Sequence, residues 1–268
     1  MNRRPQLHAS SLATHCMEGF RRRYIEGEKI APGIAIIVGT GTHRSVEANL
    51  THKIVTGELL PVEAVKDEAH DGVVAAFASQ EIILTPEEAS LGVEIVRGRA
   101  IDKAVRLAQL HHITLAPDIN PIAIERNWSL EIPGMPFDLV GRIDIQEPNA
   151  IRDTKTSGKT PSSNSAAISV QLKAYALAMR IIDKLPTMPF VALDYLVDTA
   201  TPKAITLTHE PDNDDFQVVL ARAEIIARAM EAGVFVPVEP GHWHCNEKWC
   251  GYFHTCRYTT KPKQFSIT

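Results

Sequence analysis

The segment from position 137 to 146 constrains the fold of this chain more than any other, because it alternates strictly. Small or apolar residues occupy one set of alternate positions: Phe137, Leu139, Gly141, Ile143 and Ile145. The other set is mostly polar: Asp138, Val140, Arg142, Asp144 and Gln146. Side chains of a strand point to opposite faces with a period of two, so the pattern predicts a half-buried β-strand.

A turn and a second short strand follow. Positions 147–149 carry Glu-Pro-Asn, in which proline fixes φ and asparagine tolerates unusual backbone angles. Residues 150–156 then predict a strand on which Ile151, Asp153 and Lys155 share a face, because they are two residues apart. The two strands predict a tight antiparallel hairpin.

Such a hairpin would place Asp144 opposite Asp153. Two carboxylates so close repel each other unless a positive charge lies between them, and Mg²⁺ or Mn²⁺ is the simplest candidate because these ions prefer hard oxygen ligands. Lys155 would add a fixed positive charge, suited to the negative charge that develops when a phosphodiester is attacked. The prediction depends on register, since a slip of one residue would turn Asp144 to the other face.

A helix is predicted over 166–183, after a loop rich in serine, glycine and proline. Gln171 and Tyr175 are four positions apart on this helix and therefore share a face. The less favoured alternative is a surface hairpin with a satisfied ion pair beside an ordinary amphipathic helix.

Three motifs in order and spacing resemble those of the PD-(D/E)XK nucleases, specifically the RecB-type branch: Gly141-x-x-Asp144, Asp153-x-Lys155 and Gln171-x-x-x-Tyr175. The resemblance implies an α/β fold with a restriction-endonuclease-like core, a small mixed sheet flanked by helices. It also implies metal-dependent hydrolysis of phosphodiesters in DNA.

The resemblance further implies a set of metal ligands: His43, Asp144, Asp153 and the backbone carbonyl of Thr154. His43 is included because a helix before the hairpin offers a histidine in that branch, from a G-T-x-x-H-like segment. These groups would hold one or two Mg²⁺ or Mn²⁺ ions. Glu47 shares a helical face with His43 and is undecided between a place beside the metal and the surface.

The same resemblance implies roles for the other residues. Lys155 would orient the attacking water or neutralise developing charge, Gln171 would position Lys155 or the DNA backbone, and Tyr175 would contact a phosphate. A further motif is misleading: Ser-Gly-Lys-Thr at 157–160 imitates the end of a phosphate-binding P-loop, but that motif requires glycine at the position of Asp153. An NTPase is therefore excluded.

The chain has four cysteines, one near the start and three near the end: Cys16, Cys245, Cys250 and Cys256. Disulfides are uncommon in the cytosol, so such a group predicts a metal or cluster site. The arrangement resembles the iron–sulfur nucleases associated with CRISPR systems and the AddB-type subunits of helicase–nucleases, which implies a [4Fe–4S] staple between the two ends. The spacing Cys245-x₄-Cys250 is wider than usual there, and zinc stays open as the alternative because His242, His244 and His254 lie nearby.

The remaining segments complete the expected fold. Helices are predicted over 10–27, from a loop at 39–43 towards Gly57, and over 62–82, 86–113, 166–183 and 214–232. Strands are predicted over 121–132, 190–197 and 204–209, besides the hairpin. We expect one nuclease domain over 1–268, with its core at about 120–210 and a cysteine site joining 10–27 to 240–258.

Composition limits how the chain can meet DNA. The net charge of −4 means that DNA binding must depend on local basic patches. Candidates are the arginines at 21–23 and a stripe of Arg99, Lys103 and Arg106, although a solvated surface is the favoured interpretation of both. No apolar run has the length of a signal segment or a membrane span, which predicts a soluble, cytoplasmic protein.

The leading hypothesis is a DNA exonuclease that acts on single strands or duplex ends. Self-association, or partner proteins from recombination, repair, phage or CRISPR systems, would be compatible with it. Two alternatives stay open: a zinc-stapled endonuclease with the same core, and a catalytically silent DNA-binding or scaffold module.

Overall fold

A computed structural model describes residues 4–239, 241–247 and 249–259. Its sheet has six strands: β1 (Gln6–His8), β2 (Ala123–Glu131), β3 (Asp138–Gln146), β4 (Ala150–Ser157), β5 (Phe190–Val197) and β6 (Lys203–His209). The order is β1-β3-β4-β5-β6, with β2 also paired to β3. The β1–β3 and β4–β5 pairs are parallel and the others antiparallel, so the predicted mixed sheet is confirmed.

Seven α-helices surround this sheet in the described residues: α1 (Met17–Phe20), α2 (Ile34–Thr56), α3 (Val62–Ser79), α4 (Pro86–Leu91), α5 (Val93–Thr114), α6 (Val170–Ile182) and α7 (Asn213–Ala232). Short 3₁₀ turns cover Ala9–Ala13 and Phe253–Thr255, and a π-helical turn covers Arg21–Ile25. The predicted class, a small mixed sheet flanked by helices, is therefore confirmed. The prediction of one domain over 1–268 extends beyond the described residues and stays a prediction.

Helices cover both faces of the sheet. Leu193 of β5 packs in a core with α6 and α7, whereas Leu196 packs in a second core with α2, α3 and α5. The two leucines are three positions apart on one strand, so they point to opposite faces. The sheet is thus a middle layer, and its residues between the two cores are positioned from both sides.

The predicted helix over 10–27 is wrong as a single element. The chain leaves helical geometry around Thr14–Cys16 because its backbone groups are bound elsewhere. Arg222 of α7 donates hydrogen bonds to the carbonyls of Leu12 and Thr14, and the Met17 amide donates to the Val236 carbonyl at 3.1 Å. Tertiary hydrogen bonds therefore replace those of a continuous helix.

Other helix boundaries differ from the prediction for local reasons. The predicted helix over 86–113 is two helices, because Gly92 has a φ of +84°. The helix predicted from 166 begins at Val170, where the Ser169 hydroxyl accepts the Leu172 amide, as is typical of an N-cap.

The predicted loop at 39–43 is also wrong, because these residues lie within α2. Glycine serves there for close helix packing: a Cβ on Gly41 would lie 2.6 Å from Val73 Cγ2 and 2.7 Å from the Ala69 carbonyl oxygen. Glycine allows α2 and α3 to approach closely, and this packing fixes the helix that carries His43.

We therefore predict that Gly41→Ala lowers the free energy of unfolding by about 1–3 kcal/mol through overpacking. The matched control is Gly98→Ala on α5, where a Cβ would meet nothing within 4 Å. This control should be neutral or stabilising by up to about 1 kcal/mol, because alanine favours a helix. Urea denaturation of both variants measures the difference, and equal stabilities would contradict the packing argument.

Candidate active site

Strands β3 and β4 separate at the two predicted carboxylates, Asp144 and Asp153. The β3–β4 ladder pairs Ile145 with Arg152, so the same register sets Asp144 opposite Asp153, as predicted. The ladder does not continue to this position. Instead the Thr154 amide donates to Asp144 Oδ2 at 3.2 Å. A side chain thus accepts the amide where the strands separate, and the backbone group is not left unsatisfied.

The gap between strands is a consequence of the pairing of β3. Strand β2 pairs along one edge of β3 over Asp138–Gln146. A strand has only two edges, so β1 and β4 must share the other one. Strand β1 pairs with residues 138–140 and β4 with residues 145–146, which leaves residues 141–144 of that edge without a backbone ladder. The regular ladder of hydrogen bonds is therefore interrupted where Asp144 lies.

His43 and Asp144 come together in this gap, as predicted. His43 Nδ1 lies 3.4 Å from Asp144 Oδ2. A third residue, Glu125, joins them, and the ligand atoms of the three all lie within 4.8 Å of one another. This is the one such group of three or more histidine, cysteine, aspartate or glutamate residues within the described part of the chain. One imidazole and two carboxylates suit a divalent metal ion.

Glu125 was missed by the sequence reasoning. It lies opposite Asp144 across β2 and β3, between the pairs of Ile124 with Ile145 and Arg126 with Ile143. Its φ is +49°, which is rare for a residue with a side chain and costs about 1–3 kcal/mol. The sequence shows a single acidic residue in that part of the strand, but only the β2–β3 register and this backbone angle reveal its direction.

Glu125 is also electrostatically crowded. Burial and then the neighbouring Asp144 charge raise the pKa of its carboxyl group. Arg142 partly compensates, with Nε 2.6 Å from Glu125 Oε2. Strain and charge repulsion at one half-buried acid are typical of functional sites.

Asp153 and Lys155 lie beside this triad. Asp153 is only 2% exposed, and its Oδ2 lies 2.6 Å from Lys155 Nζ. Burial is the main cause that raises the pKa of Asp153 to about 6, against the lowering effect of Lys155 and with a further raising effect of Asp144. Burial is the largest single effect on Lys155 and would lower its pKa, but the charge and hydrogen bond of Asp153 together with the Asp144 charge outweigh it, and the pKa is raised. Lys155 is therefore a cation at neutral pH.

Gln171 and Tyr175 form the opposite wall. Gln171 Nε2 donates to the Tyr175 hydroxyl oxygen at 2.7 Å. Burial is the first cause that raises the pKa of Tyr175 to about 12, so the phenol keeps its proton. Gly141 makes room for this ring, since a Cβ there would lie 2.7 Å from Trp128 and 2.8 Å from Tyr175.

All seven predicted residues line one cleft of about 870 Å³: His43, Asp144, Asp153, Thr154, Lys155, Gln171 and Tyr175. Glu47 and Glu125 line it too. So do Arg44 and Arg142, whose side chains are 45% and 64% exposed. The cleft thus combines buried carboxylates with cations at its surface, which suits a phosphate-containing ligand.

The two other predicted basic patches are largely paired. Arg21 contacts Glu18 and Glu26, and Arg22 contacts Glu28. In the stripe on α5, Lys103 and Arg106 both contact Asp198. These ion pairs favour a structural role for Arg21, Arg22, Lys103 and Arg106.

The four cysteines line a second cavity, of about 460 Å³. Burial first, and then the neighbouring cysteines, raise the pKa of the Cys245 and Cys250 thiols. Hydrogen bonds join the two ends of the chain around them: the Tyr252 hydroxyl donates to the Glu28 carbonyl at 2.9 Å, and Arg22 donates to the Thr255 hydroxyl at 2.8 Å.

Comparison with known proteins agrees with this geometry. Residues 9–257 match the family model of the PD-(D/E)XK nuclease superfamily, and the chain therefore belongs to that superfamily. No curated protein matches the chain significantly. No helix in the described part of the chain combines the length and apolar character that crossing a bilayer requires.

Comparison with solved structures gives two matches. One is a crystal structure from Eubacterium rectale, named "Putative exonuclease", with a TM-score of 0.55 and 13% identity, covering 97% of this chain and 91% of that chain. The other is SSO0001, with a TM-score of 0.41 and 14% identity, covering 97% and 90%. At these identities the first likeness concerns the fold alone.

The raised pKa of Asp153 predicts a pH-dependent stability. Because this pKa is higher in the folded protein than in the unfolded chain, protonated Asp153 favours folding, and that contribution is lost as the pH rises through about 6. Asp153→Asn cannot ionise, so without metal it should be more stable than the wild type by about 2 kcal/mol at pH 7.5.

Thermal unfolding in a chelator measures this effect. The difference should vanish by about pH 4, where both side chains are neutral. The exposed Asp118 provides the control, since Asp118→Asn should leave the stability close to that of the wild type at both pH values. If Asp153→Asn is less stable than the wild type at pH 7.5, the ionised Asp153 carboxylate does not destabilise the folded protein, and the prediction is wrong.

Proposed function

We propose that this protein is a metal-dependent deoxyribonuclease that acts as an exonuclease on single-stranded or end-containing DNA. The observation that carries the proposal is the division of the sheet at Asp144, which gathers His43, Glu125 and Asp144 within 4.8 Å beside the buried Asp153. A silent scaffold would gain nothing from such crowded acids, because their repulsion destabilises the fold.

The donor set fits Mg²⁺ or Mn²⁺. The candidate ligands are Asp144, Asp153, the Thr154 carbonyl, His43 and Glu125, which are mostly hard oxygens. When bound, such an ion lowers the pKa of a coordinated water and stabilises charge on the attacked phosphate. Asp153 supports this assignment, because a cation would offset the burial that now raises its pKa.

The remaining residues would act on the substrate directly. Lys155 is a cation next to Asp153, so it can donate to a phosphate oxygen or hold the attacking water. The Tyr175 hydroxyl accepts from Gln171, which leaves its own proton to be donated to a phosphate. Gln171 thus acts on Tyr175, whereas the sequence suggested a role towards Lys155 or the DNA backbone.

For the cysteine site we propose a [4Fe–4S] cluster that joins the two ends of the chain. All four cysteines line one cavity of about 460 Å³, which supplies the four thiolates that such a cluster takes. Tetrahedral zinc, with Zn–S of about 2.3 Å, would bring its ligands within roughly 4 Å of one another. No three cysteines or histidines of this site, among the described residues, have ligand atoms within 4.8 Å. That spacing favours the larger cluster.

We predict that Asp144→Ala and Lys155→Ala each reduce DNA cleavage at least about 100-fold without unfolding the protein. The first removes a candidate metal ligand, and the second removes a positive charge that stabilises the transition state. Lys159→Ala is the matched control: this lysine is exposed, four positions further along and outside the cleft, so activity should persist. Digestion of labelled linear DNA with Mn²⁺ is the measurement.

A circular single strand of the same sequence separates the modes of cleavage. An exonuclease should leave it intact while degrading the linear form. Cleavage of both the linear and the circular form would agree with a nuclease but would contradict the exonuclease assignment. Full activity in either Asp144→Ala or Lys155→Ala would contradict the active site itself.

For the cysteine site, Cys250→Ala should lose iron and its visible absorption and should lower the free energy of unfolding by at least about 2 kcal/mol, because cluster binding contributes to folding. His254→Ala is the control, since His254 does not line the cavity, and it should keep its iron. Anaerobic purification with iron, sulfide and zinc analysis tests this. Two results would contradict the proposal of a [4Fe–4S] cluster: zinc without iron in the wild type, or a Cys250→Ala variant that is stable and keeps its visible absorption.

A further inference from the structure

Two tryptophans near the cysteine cavity expose much of their surface. Trp243 and Trp249 are 55% and 56% exposed, and their rings meet edge to face at 6.1 Å. Burial of so large an aromatic side chain would stabilise the fold considerably. Trp249 shares a recess with Cys16 and Cys250, but neither ring lines the cavity that holds all four cysteines.

Histidine rings extend this aromatic surface. His15 packs edge to face against Trp243 at 5.1 Å, and His244 packs against the same tryptophan at 5.4 Å. Trp249, His15 and His244 also line a recess of about 270 Å³. Trp243 does not line the recess but contacts the rings of all three. We call the four residues the aromatic platform: His15, Trp243, His244 and Trp249.

The aromatic platform adjoins the active-site cleft. Ser10 lines both the cleft and the recess. The segment that follows Ser10 is held to α7, because Arg222 donates to the carbonyls of Leu12 and Thr14. A ligand that leaves the cleft past Ser10 would therefore reach the platform over an anchored segment.

A cation accompanies the rings. Arg23 lines the recess and lies 5.5 Å from the ring centre of Tyr24. Among the described residues no carboxylate lies within 4.0 Å of its guanidinium, in contrast to Arg21 and Arg22. Exposed rings beside such a cation match the requirements of single-stranded nucleic acid, whose bases stack on aromatic side chains while cations follow its phosphates.

From this geometry we infer that the aromatic platform binds unpaired bases of single-stranded DNA that extends from the active-site cleft. The inference rests on the proposed nuclease function, and it selects an unpaired strand as the substrate. In a duplex the bases are already stacked on one another, so they offer no free face to Trp243 or Trp249.

The first test is binding without cleavage, in a chelator and at fixed salt. A labelled 20-nucleotide oligo-dT should quench tryptophan fluorescence, and Trp243→Ala or Trp249→Ala should each weaken its binding roughly tenfold or more, as expected for the loss of a stacked base. Trp243→Phe and Trp249→Phe keep a ring and should retain most of the affinity. Ile113→Ala, at a remote position that is 61% exposed, should bind as the wild type does.

Metal content and thermal unfolding of each variant show whether the cysteine site is intact. A blunt duplex without single-stranded ends should bind equally well to the wild type and to the alanine variants. Alanine variants that bind oligo-dT as tightly as the wild type would overturn the inference. So would phenylalanine variants as weak as the alanine ones, or an equal loss of affinity for the duplex.

Hydrolysis of a chromogenic thymidine phosphodiester tests the nuclease proposal separately from this inference. So small a substrate needs only the active-site cleft and not the aromatic platform. The tryptophan variants should hydrolyse it as the wild type does, while they degrade the 20-nucleotide strand with a higher KM. If the wild type hydrolyses neither substrate, the nuclease proposal fails, but the binding experiment still decides whether the platform holds DNA.

Discussion

The site depends on the register that places Asp144 opposite Asp153 at the point where β3 and β4 separate. Regular pairing would continue there in an ordinary hairpin, but two facing carboxylates oppose it. The Asp144 carboxylate accepts the Thr154 amide in place of a backbone carbonyl. The resulting opening lets His43 approach from α2 and Glu125 from β2. The facing carboxylates, and the sharing of this edge of β3 by β1 and β4, together open the cleft.

The rest of the fold holds this unfavourable arrangement in place. Helices on both faces bury the strands, and the close packing at Gly41 fixes the helix that carries His43. Glu125 adopts a rare backbone angle and Asp153 is buried with a raised pKa. The Glu125 backbone angle and the burial of Asp153 each lower the stability of the metal-free protein. A bound cation would offset the repulsion and burial of the carboxylates, so these crowded acids support a metal-dependent function.

Local patterns predicted the hairpin well because its alternation and turn are encoded within about twenty residues. The position of Asp144 opposite Asp153 followed from the same period of two, and the strand at 190–197 was also predicted. Long-range contacts explain the failures. Arg222 breaks the predicted first helix, and Gly41 serves helix packing where a loop was expected. Glu125 was missed because its direction depends on a backbone angle that a strand pattern does not contain.

The most direct test of the central claim is a crystal structure of the protein soaked in Mn²⁺, with anomalous scattering used to locate the ion. We predict a peak in the gap between β3 and β4, within coordination distance of both Asp144 and Asp153, with His43 or Glu125 as a further ligand. Such a peak should be absent from crystals of Asp144→Ala. A Mn²⁺ ion bound elsewhere, or no ion in a cleft whose carboxylates remain paired with Lys155 and Arg142, would contradict the account.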